Sequence, residues 1–354
     1  MTRMLGAPRK AVEQFLETHG YPRYRAKQIE TWIYRHGAHS YRECTNLPAS
    51  LIATLTDAFP LGATPHRTVQ ISSDETRKYL FPVGGNQQSR GDEPGSTGHR
   101  QQTIEAALIP EGKRLTLCLS TQVGCRRACT FCQTGRQGFH GNLETADILN
   151  QYHSLPERSN VTNIVYMGMG EPLDNPEAVL ESLDTLTDPH RYALSPRRIT
   201  LSTVGIHPAL EEFLRRSPVN LAISIHNPFP EERRLIMPVE RDHPIEKTLD
   251  LIRSTREDRK RRITFEYTLF DGVNDTQRHA RELARVLGGL STRVNLIAFH
   301  QFDTTRLKPT PRKSIERFAE WLRERGVRTF IRASRGQDIE AACGMLWTDR
   351  NRSD

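Results

Sequence analysis

The cysteines of this 354-residue chain are unevenly distributed, because four of the six lie between residues 118 and 132. Three of them, Cys125, Cys129 and Cys132, form a C-x3-C-x2-C pattern within "CRRACTFC". Thiolates at this spacing can bind one face of an iron–sulfur cluster, whereas a structural zinc site closes with four protein ligands. With only three protein ligands, one iron stays open to a small molecule such as S-adenosylmethionine (SAM), which can bind it through its amino and carboxylate groups.

A zinc site is the alternative interpretation, with Cys118 as the fourth ligand. Phe131, directly before the last cysteine of the pattern, favours the cluster, because an aromatic ring would shield it from water and help to set its potential. C-x3-C-x2-C beside an aromatic residue resembles the signature of the radical SAM superfamily. Members of that superfamily cleave SAM reductively to a 5′-deoxyadenosyl radical, and the protein directs the radical to its target.

The elements that must position these thiols follow from periodicity. After residue 143, short apolar runs alternate with amphipathic helical segments, from "TNIVYMGMG" to a last predicted helix in "GQDIEAACGML". This repetition predicts a parallel sheet, doubly wound or barrel-shaped, with its chemistry at the carboxyl ends of the strands. The first sixty residues have helical spacing, four strand-like runs follow, and the stretch 84–102 contains no apolar residue and is predicted to be a loop.

Beyond the cysteine loop, the sequence resembles one family, the RlmN/Cfr adenosine methyltransferases, which are radical SAM enzymes that act on 23S ribosomal RNA. The resemblance runs from about residue 21 to residue 347 and is carried by several motifs in the same order as in the family. These motifs are "STQVGCRRACTFCQTGRQGFHGNL", "MGMGEPLDN", "ITLSTVGIHPAL", "SIHNPFPEERRLIMPV" and "RGQDIEAACG".

The resemblance implies an α/β fold, a partial (β/α)6-type radical SAM barrel with a small N-terminal helical domain and a short β-rich connector. The predicted domains are a helical RNA-binding accessory domain at 1–62, the connector at 63–110 with the polar loop 84–102, the barrel at 111–347, and a tail at 348–354.

Catalytic roles follow from the same resemblance. Cys343 matches the cysteine that takes a methyl group from one SAM, and Cys118 matches the cysteine that later attacks the sulfur of Cys343 and releases the product. Glu105 matches a glutamate that takes a proton from the adenine ring. Taken singly, Cys343 is more typical of a small buried cysteine in an alanine-rich helix, whereas Cys118 could equally be a core strand cysteine and Glu105 an exposed strand glutamate.

A second group of matches concerns SAM. The resemblance implies a 4Fe-4S cluster held by the three-cysteine motif and two molecules of SAM per turnover. The residues carried over as SAM contacts are Gly170, Glu171, Ser202, Ser224, Ile225, His226 and His300. His300 stands where the family usually has an asparagine, and a histidine ring brings a different geometry and pH response.

Charge and composition set the partners that we expect. Lys and Arg number 50 against 42 Asp and Glu, a formal charge of +8 at pH 7, which suits a polyanion such as RNA. The resemblance implies 23S rRNA as the substrate, with tRNA as a second candidate, and an external electron donor such as flavodoxin. We further expect a cytoplasmic monomer without a membrane segment, since the sequence has neither a signal peptide nor a long apolar run.

Three alternatives remain at the level of sequence. The methyl group could go to carbon 2 or to carbon 8 of adenosine. The chain could be another radical SAM enzyme, which would not need Cys118 and Cys343 as a pair. It could also be a zinc-bearing RNA-binding protein without catalytic activity, which would contain zinc and no iron.

Overall fold

The computed structural model describes residues 3–84, 102–255, 261–302 and 305–347. Most of the predicted polar loop and the predicted C-terminal tail therefore lie outside the described residues. Twelve strands form within them: β1 (Thr68–Ile71), β2 (Arg77–Pro82), β3 (Thr103–Glu111), β4 (Arg114–Cys118), β5 (Gln122–Gly124), β6 (Phe139–Asn142), β7 (Asn163–Tyr166), β8 (Ile199–Thr203), β9 (Asn220–Ser224), β10 (Ile263–Leu269), β11 (Arg293–Ala298) and β12 (Arg328–Arg332).

Eleven α-helices form among the described residues. They are α1 (Arg9–Thr18), α2 (Arg25–Glu30), α3 (Ala49–Ala58), α4 (Gln133–Arg136), α5 (Thr145–His153), α6 (Pro176–Thr187), α7 (Ala209–Arg216), α8 (Pro230–Ile236), α9 (Ile245–Ser254), α10 (Gln277–Val286) and α11 (Arg312–Arg323). Helix α7 shows why they pack as they do. Leu210 and Phe213 are buried, whereas Glu211 and Arg215 lie on the exposed side, so that one face of the helix covers the sheet.

The central sheet has ten strands among the described residues, in the order β1-β2-β3-β4-β7-β8-β9-β10-β11-β12. Every pair from β4 to β12 is parallel, and the strands follow one another in chain order with helices between them. Strands β1 to β4 extend this sheet with antiparallel pairs. In the described part of the chain the sheet does not close, which confirms the prediction of an α/β fold with a partial barrel.

Buried charges fix the N-terminal helices to the sheet domain. Helix α2 continues as a π-helix over Thr31–His36 and ends at Gly37, whose φ of +78° favours glycine. Glu30, at the end of α2, accepts from the buried Arg191 at 2.8 Å, and Arg191 also donates to the carbonyl of Ala7 at 2.7 Å. The helical segment is therefore attached through a satisfied ion pair.

The segment that carries Cys343 is not the helix that the sequence predicted. Residues 336–346 form successive turns, and Gly336, Glu340 and Gly344 all have positive φ, which a right-handed helix does not allow. Turn bonds such as that from the N–H of Ala341 to the carbonyl of Gly336 at 2.8 Å hold the segment, and the N–H of Gln133 donates to the carbonyl of Gly344 at 2.7 Å. The expected helix is therefore replaced by a loop laid against the three-cysteine segment.

No helix among the described residues is long and apolar enough to cross a membrane.

Candidate active site

A cavity of about 250 Å³ lies where the parallel strands end at their carboxyl termini. Eleven of the thirteen predicted site residues line it, contributed by seven separate parts of the chain. These are Cys118, Cys125, Cys129, Cys132, Gly170, Glu171, Ser202, Ser224, His226, His300 and Cys343. Glu105 and Ile225 are the two that do not line the cavity.

The three-cysteine loop is held from both sides. Cys125 follows β5, and its N–H donates to the carbonyl of Gly138 at 2.9 Å. Cys132 precedes α4, and its N–H donates to the carbonyl of Cys129 at 3.1 Å. The aromatic residue of the motif packs inward, because the ring of Phe131 lies 4.8 Å from that of His226. A short strand, a turn and a helix start thus bring the three thiols to one wall of the cavity.

The electrostatics of these thiols suit a cationic partner. Burial raises the pKa of Cys125 to about 12, and that of Cys129 rises well above its usual value because of burial and the charges of Cys132 and Cys125. Backbone N–H groups face the sulfurs, including that of Arg127 at 3.5 Å from Cys125 Sγ. Three clustered thiols with N–H donors around them fit a 4Fe-4S cluster that has one iron free of protein ligands. Among the described residues, no three His, Cys, Asp or Glu side chains form a group suited to a single metal ion.

Cys118 and Cys343 line the same cavity. Cys118 is buried on β4 and packs with Ala107 and Ala341. Burial raises the pKa of the Cys118 thiol, and the charge of Cys343 raises it further, whereas no thiol of the three-cysteine loop contributes. Cys118 is thus within electrostatic reach of Cys343 and not of the loop thiols, which does not favour it as a fourth metal ligand.

Cys343 itself is accessible through the cavity, although protein atoms surround its sulfur. Burial raises the pKa of its thiol, and the charges of Glu266 and Cys132 add to that effect, while the charge of Arg332 lowers the pKa. Cys343 therefore lies within electrostatic reach of both Cys118 and the three-cysteine loop.

Glu171 is a buried carboxylate in the loop that follows the carboxyl end of β7. It accepts hydrogen bonds from Thr203 Oγ1 at 2.6 Å, from the N–H of Val204 at 2.9 Å and from the N–H of Leu173 at 3.0 Å. Burial raises its pKa to about 7 even though these donors lower it. Gly170 must be glycine, since its φ is +99° and a Cβ would lie 2.6 Å from Gln122 Cβ.

The remaining predicted contacts divide into two kinds. Ser202, Ser224 and His300 present polar atoms to the cavity, and His300 Nε2 lies 2.5 Å from Ser334 Oγ. His226 and Ile225 serve the framework: His226 Nδ1 accepts from the N–H of Thr268 at 2.9 Å, and the N–H of Ile225 donates to the carbonyl of Glu266 at 3.1 Å. Burial lowers the pKa of His226 to about 3, so this ring stays neutral as an acceptor.

Glu105 lies near the amino-terminal end of β3, on the face of the strand that is turned towards the cavity. Side chains alternate along a strand, so Glu105 shares a face with Ile109, which lines the cavity. Its carboxylate is buried, accepts from the N–H of Trp347 at 3.0 Å and lies 3.2 Å from Lys78 Nζ. Burial raises the pKa of Glu105, whereas Lys78 and the Trp347 N–H lower it.

Two charged cavity residues on β10 and β12, Glu266 and Arg332, were not among the predicted site residues. Glu266 is buried in the middle of β10 and accepts from Asn295 Nδ2 at 2.7 Å, and Arg332 lies at the carboxyl end of β12. The charge of Arg332 lowers the pKa of Glu266, which burial raises. A lone charge inside the apolar run "ITFEYTLF" was the available signal, because a buried strand carries a carboxylate only with partners.

The fold and the three-thiol wall of the cavity define a radical SAM enzyme, and the comparisons agree. Residues 119–285 match the family model of the radical SAM superfamily, and residues 2–60 match that of the ribosomal RNA large subunit methyltransferase N-terminal domain. The crystal structure of a radical SAM methyltransferase from Sphaerobacter thermophilus superposes with a TM-score of 0.89 at 36% sequence identity, covering 98% of this chain and 99% of that chain.

Bacterial relatives show to which family of radical SAM enzymes the chain is similar. A probable dual-specificity RNA methyltransferase RlmN of Porphyromonas gingivalis is 47% identical over 94% of this chain and 93% of its own length. The dual-specificity RNA methyltransferase RlmN of Alkalilimnicola ehrlichii is 38% identical over 97% of this chain and 93% of its own. The chain belongs to the RlmN family of radical SAM methyltransferases.

Proposed function

We propose that this enzyme methylates a ring carbon, carbon 2 or carbon 8, of an adenosine in 23S rRNA, through a methylated Cys343. The observation that carries the proposal is that Cys118 and Cys343 line the same cavity as the three-cysteine loop, within electrostatic reach of each other. Methyl transfer from SAM by ordinary displacement needs a nucleophilic acceptor. The amidine carbons of adenine are not nucleophilic, so the proposal uses a radical route, with Cys343 as the carrier of the methyl group.

The residues that would hold the cofactors follow from the site. Cys125, Cys129 and Cys132 would bind the 4Fe-4S cluster, and Glu171 would accept from the amino group of SAM. When bound, the cluster and SAM supply the 5′-deoxyadenosyl radical that removes a hydrogen atom from a methyl group. Two molecules of SAM are consumed per turnover, one as methyl donor and one as radical source.

The thiols perform the steps on either side of that event. The thiolate of Cys343 attacks the methyl carbon of SAM, so that a carbon–sulfur bond to Cys343 forms as the sulfonium bond breaks and S-adenosylhomocysteine leaves. After the methylene carbon has joined the ring, Glu105 takes the proton of the ring carbon, and the adduct loses its one unpaired electron, which the cluster, when bound, would accept. Cys118 then attacks Cys343 Sγ, a disulfide forms, and the electron pair of the broken carbon–sulfur bond stays with the product, which gains a proton. Their neighbouring positions support this exchange.

RNA contact is supported by a surface on the N-terminal helices. The ring of Tyr24 is exposed, and the guanidinium of Arg25 lies 5.0 Å from its centroid. Exposed aromatic rings stack on unpaired bases, and cations neutralise phosphates. We further propose that tRNA is a second substrate, in line with the dual specificity for which the relatives are named, and that a flavodoxin-like donor reduces the cluster of a cytoplasmic monomer.

Removing the charge of Glu171 should weaken SAM binding. With a pKa of about 7, the carboxylate is ionised mainly above neutral pH, and only that form attracts the SAM ammonium group. We expect the affinity of the wild-type enzyme for SAM to fall as pH falls from 8.5 to 6. Glu171→Gln should bind about 10- to 100-fold more weakly at pH 8, with a flat pH profile.

Equilibrium dialysis of labelled SAM across this pH range measures both effects. Glu177→Gln is the matched control, because Glu177 is an exposed glutamate outside the cavity. An unchanged affinity in Glu171→Gln would remove Glu171 from the SAM site.

Mass spectrometry of nucleosides tests the proposed function itself. The reconstituted enzyme is incubated anaerobically with SAM, a reductant and either unmodified 23S rRNA or unmodified tRNA. We expect a methyladenosine in the rRNA digest, and comparison with standards assigns carbon 2 or carbon 8. Cleavage of SAM without methyladenosine in either RNA would point to another radical SAM reaction.

A further inference from the structure

Lys78 forms a buried ion pair with Glu105. The two side chains are only 7% and 8% exposed, and Nζ lies 3.2 Å from Oε1. Strands β2 and β3 are antiparallel, with Lys78 opposite Ala107 and Leu80 opposite Glu105. Residues directly opposite share a face, so the lysine and the glutamate are diagonal neighbours on the face that leads into the cavity.

A buried ion pair contributes little net stability to a fold, so stability alone does not explain the Lys78–Glu105 pair. Removing two charges from water costs so much that apolar side chains of similar size often stabilise a fold equally well. On the other face of β2 the buried side chains are aromatic instead of charged, since Tyr79 and Phe81 pack in the main core. A lysine and a glutamate at the cavity face therefore point to a requirement for charge.

The second carboxylate oxygen of Glu105 ties the pair to the segment that carries Cys343. Oε2 accepts from the N–H of Trp347 at 3.0 Å, and the same segment is held by Thr134 Oγ1, which donates to the carbonyl of Leu346 at 2.6 Å. The charged and titratable groups that act on Glu105 are Lys78 on β2 and Glu340 on the Cys343 segment. Lys78 is the one that favours the ionised carboxylate.

We propose that Lys78 is a positioning residue for product release: its charge keeps Glu105 ionised and fixes the carboxylate at the edge of the cavity. The inference rests on the proposed function, in which Glu105 takes the ring proton. In that step the carboxylate forms an O–H bond as the ring C–H bond breaks, the electron pair stays in the ring, and Lys78 keeps its proton throughout. A carboxylate that is already protonated cannot accept, so loss of the Lys78 charge slows the step.

An infrared titration of the reconstituted full-length enzyme tests the electrostatic part. The difference between wild type and Glu105→Gln identifies the Glu105 band. We expect Lys78→Met to raise its midpoint by about one pH unit or more, because an opposite charge at this distance lowers a carboxyl pKa by about one to three units. Lys78→Arg should restore the wild-type midpoint, and Lys113→Met, at an exposed lysine, should leave it unchanged.

The lifetime of the covalent RNA–protein adduct tests the functional part. In single-turnover reactions at pH 7 resolved on denaturing gels, the Lys78→Met adduct should persist at least about tenfold longer than the wild-type adduct. It should recover towards the wild-type lifetime as pH rises, since Glu105 then ionises without the lysine. Thermal unfolding checks each variant, and Lys78→Gln replaces Lys78→Met if the latter does not fold.

The two proposals fail separately. An unshifted Glu105 midpoint in the variants without the lysine charge, or a slowing of release that is equal at all pH values, would overturn the role of Lys78. A wild-type enzyme that methylates neither RNA would overturn the proposed function, whatever the infrared midpoint.

Discussion

Replacing Cys343 by alanine should abolish methylation of RNA while leaving the iron content of the enzyme unchanged. Cys343 lines the cavity but lies outside the three-cysteine loop, so its loss removes the methyl carrier and no cluster ligand. Loss of a covalent nucleophile costs on the order of 10⁴-fold or more in rate. Incorporation of labelled methyl groups into RNA checks the first half of this prediction, and the iron and sulfide contents of the variant check the second.

Cys44→Ala is the matched control for that experiment. Cys44 is a buried free cysteine in the N-terminal helical segment, far along the chain from the cavity residues. Its replacement should leave methylation near the wild-type rate. Methyl transfer that persisted in Cys343→Ala would exclude a methyl-cysteine route and would favour a radical SAM reaction that needs no second cysteine pair.

Replacing Cys118 by alanine should produce the opposite phenotype, a covalent complex between enzyme and RNA. Without the attacking thiol, the carbon–sulfur bond to Cys343 has no route to cleavage by exchange. We expect release of product to slow on the order of 100-fold or more, and a band of enzyme linked to RNA should appear on denaturing gels. Mass spectrometry of the nuclease-treated band should place the nucleotide on Cys343.

The double variant Cys118→Ala/Cys343→Ala provides the control, because it should form no linked band. Cys118 is buried beside small side chains, and alanine keeps that environment, so loss of the fold is not expected to confuse the result. Normal product release in Cys118→Ala would show that another group resolves the adduct.

Periodicity was sufficient to predict most of the fold. Alternating apolar runs and amphipathic segments from residue 143 predicted parallel strands in chain order, because a helix must connect each strand to its parallel neighbour. The strand ends then predicted where polar side chains converge, and Ser202, Ser224 and His300 all reach one cavity. The family resemblance is confirmed by relatives that match nearly the whole chain.

Other features could not be predicted because they depend on partners distant in the sequence. The alanine-rich "DIEAACG" has helical composition, yet Glu340 and Gly344 adopt positive φ, and the segment forms turns that also bond to the cysteine loop. Lys78 and Glu105 each resembled an ordinary strand residue, and only the register of β2 against β3 shows them as a buried pair. Glu266 required the packing of neighbouring strands before its burial could be recognised.

The central claim is that the methyl group passes through Cys343 as a carbon radical before it reaches RNA. SAM with a fully deuterated methyl group tests it most directly, since hydrogen abstraction removes one deuterium and the final protonation comes from solvent. The account predicts methyladenosine that carries two of the three deuterium atoms, with the third recovered in 5′-deoxyadenosine. Methyladenosine that retains all three would show direct transfer of an intact methyl group and would contradict the account.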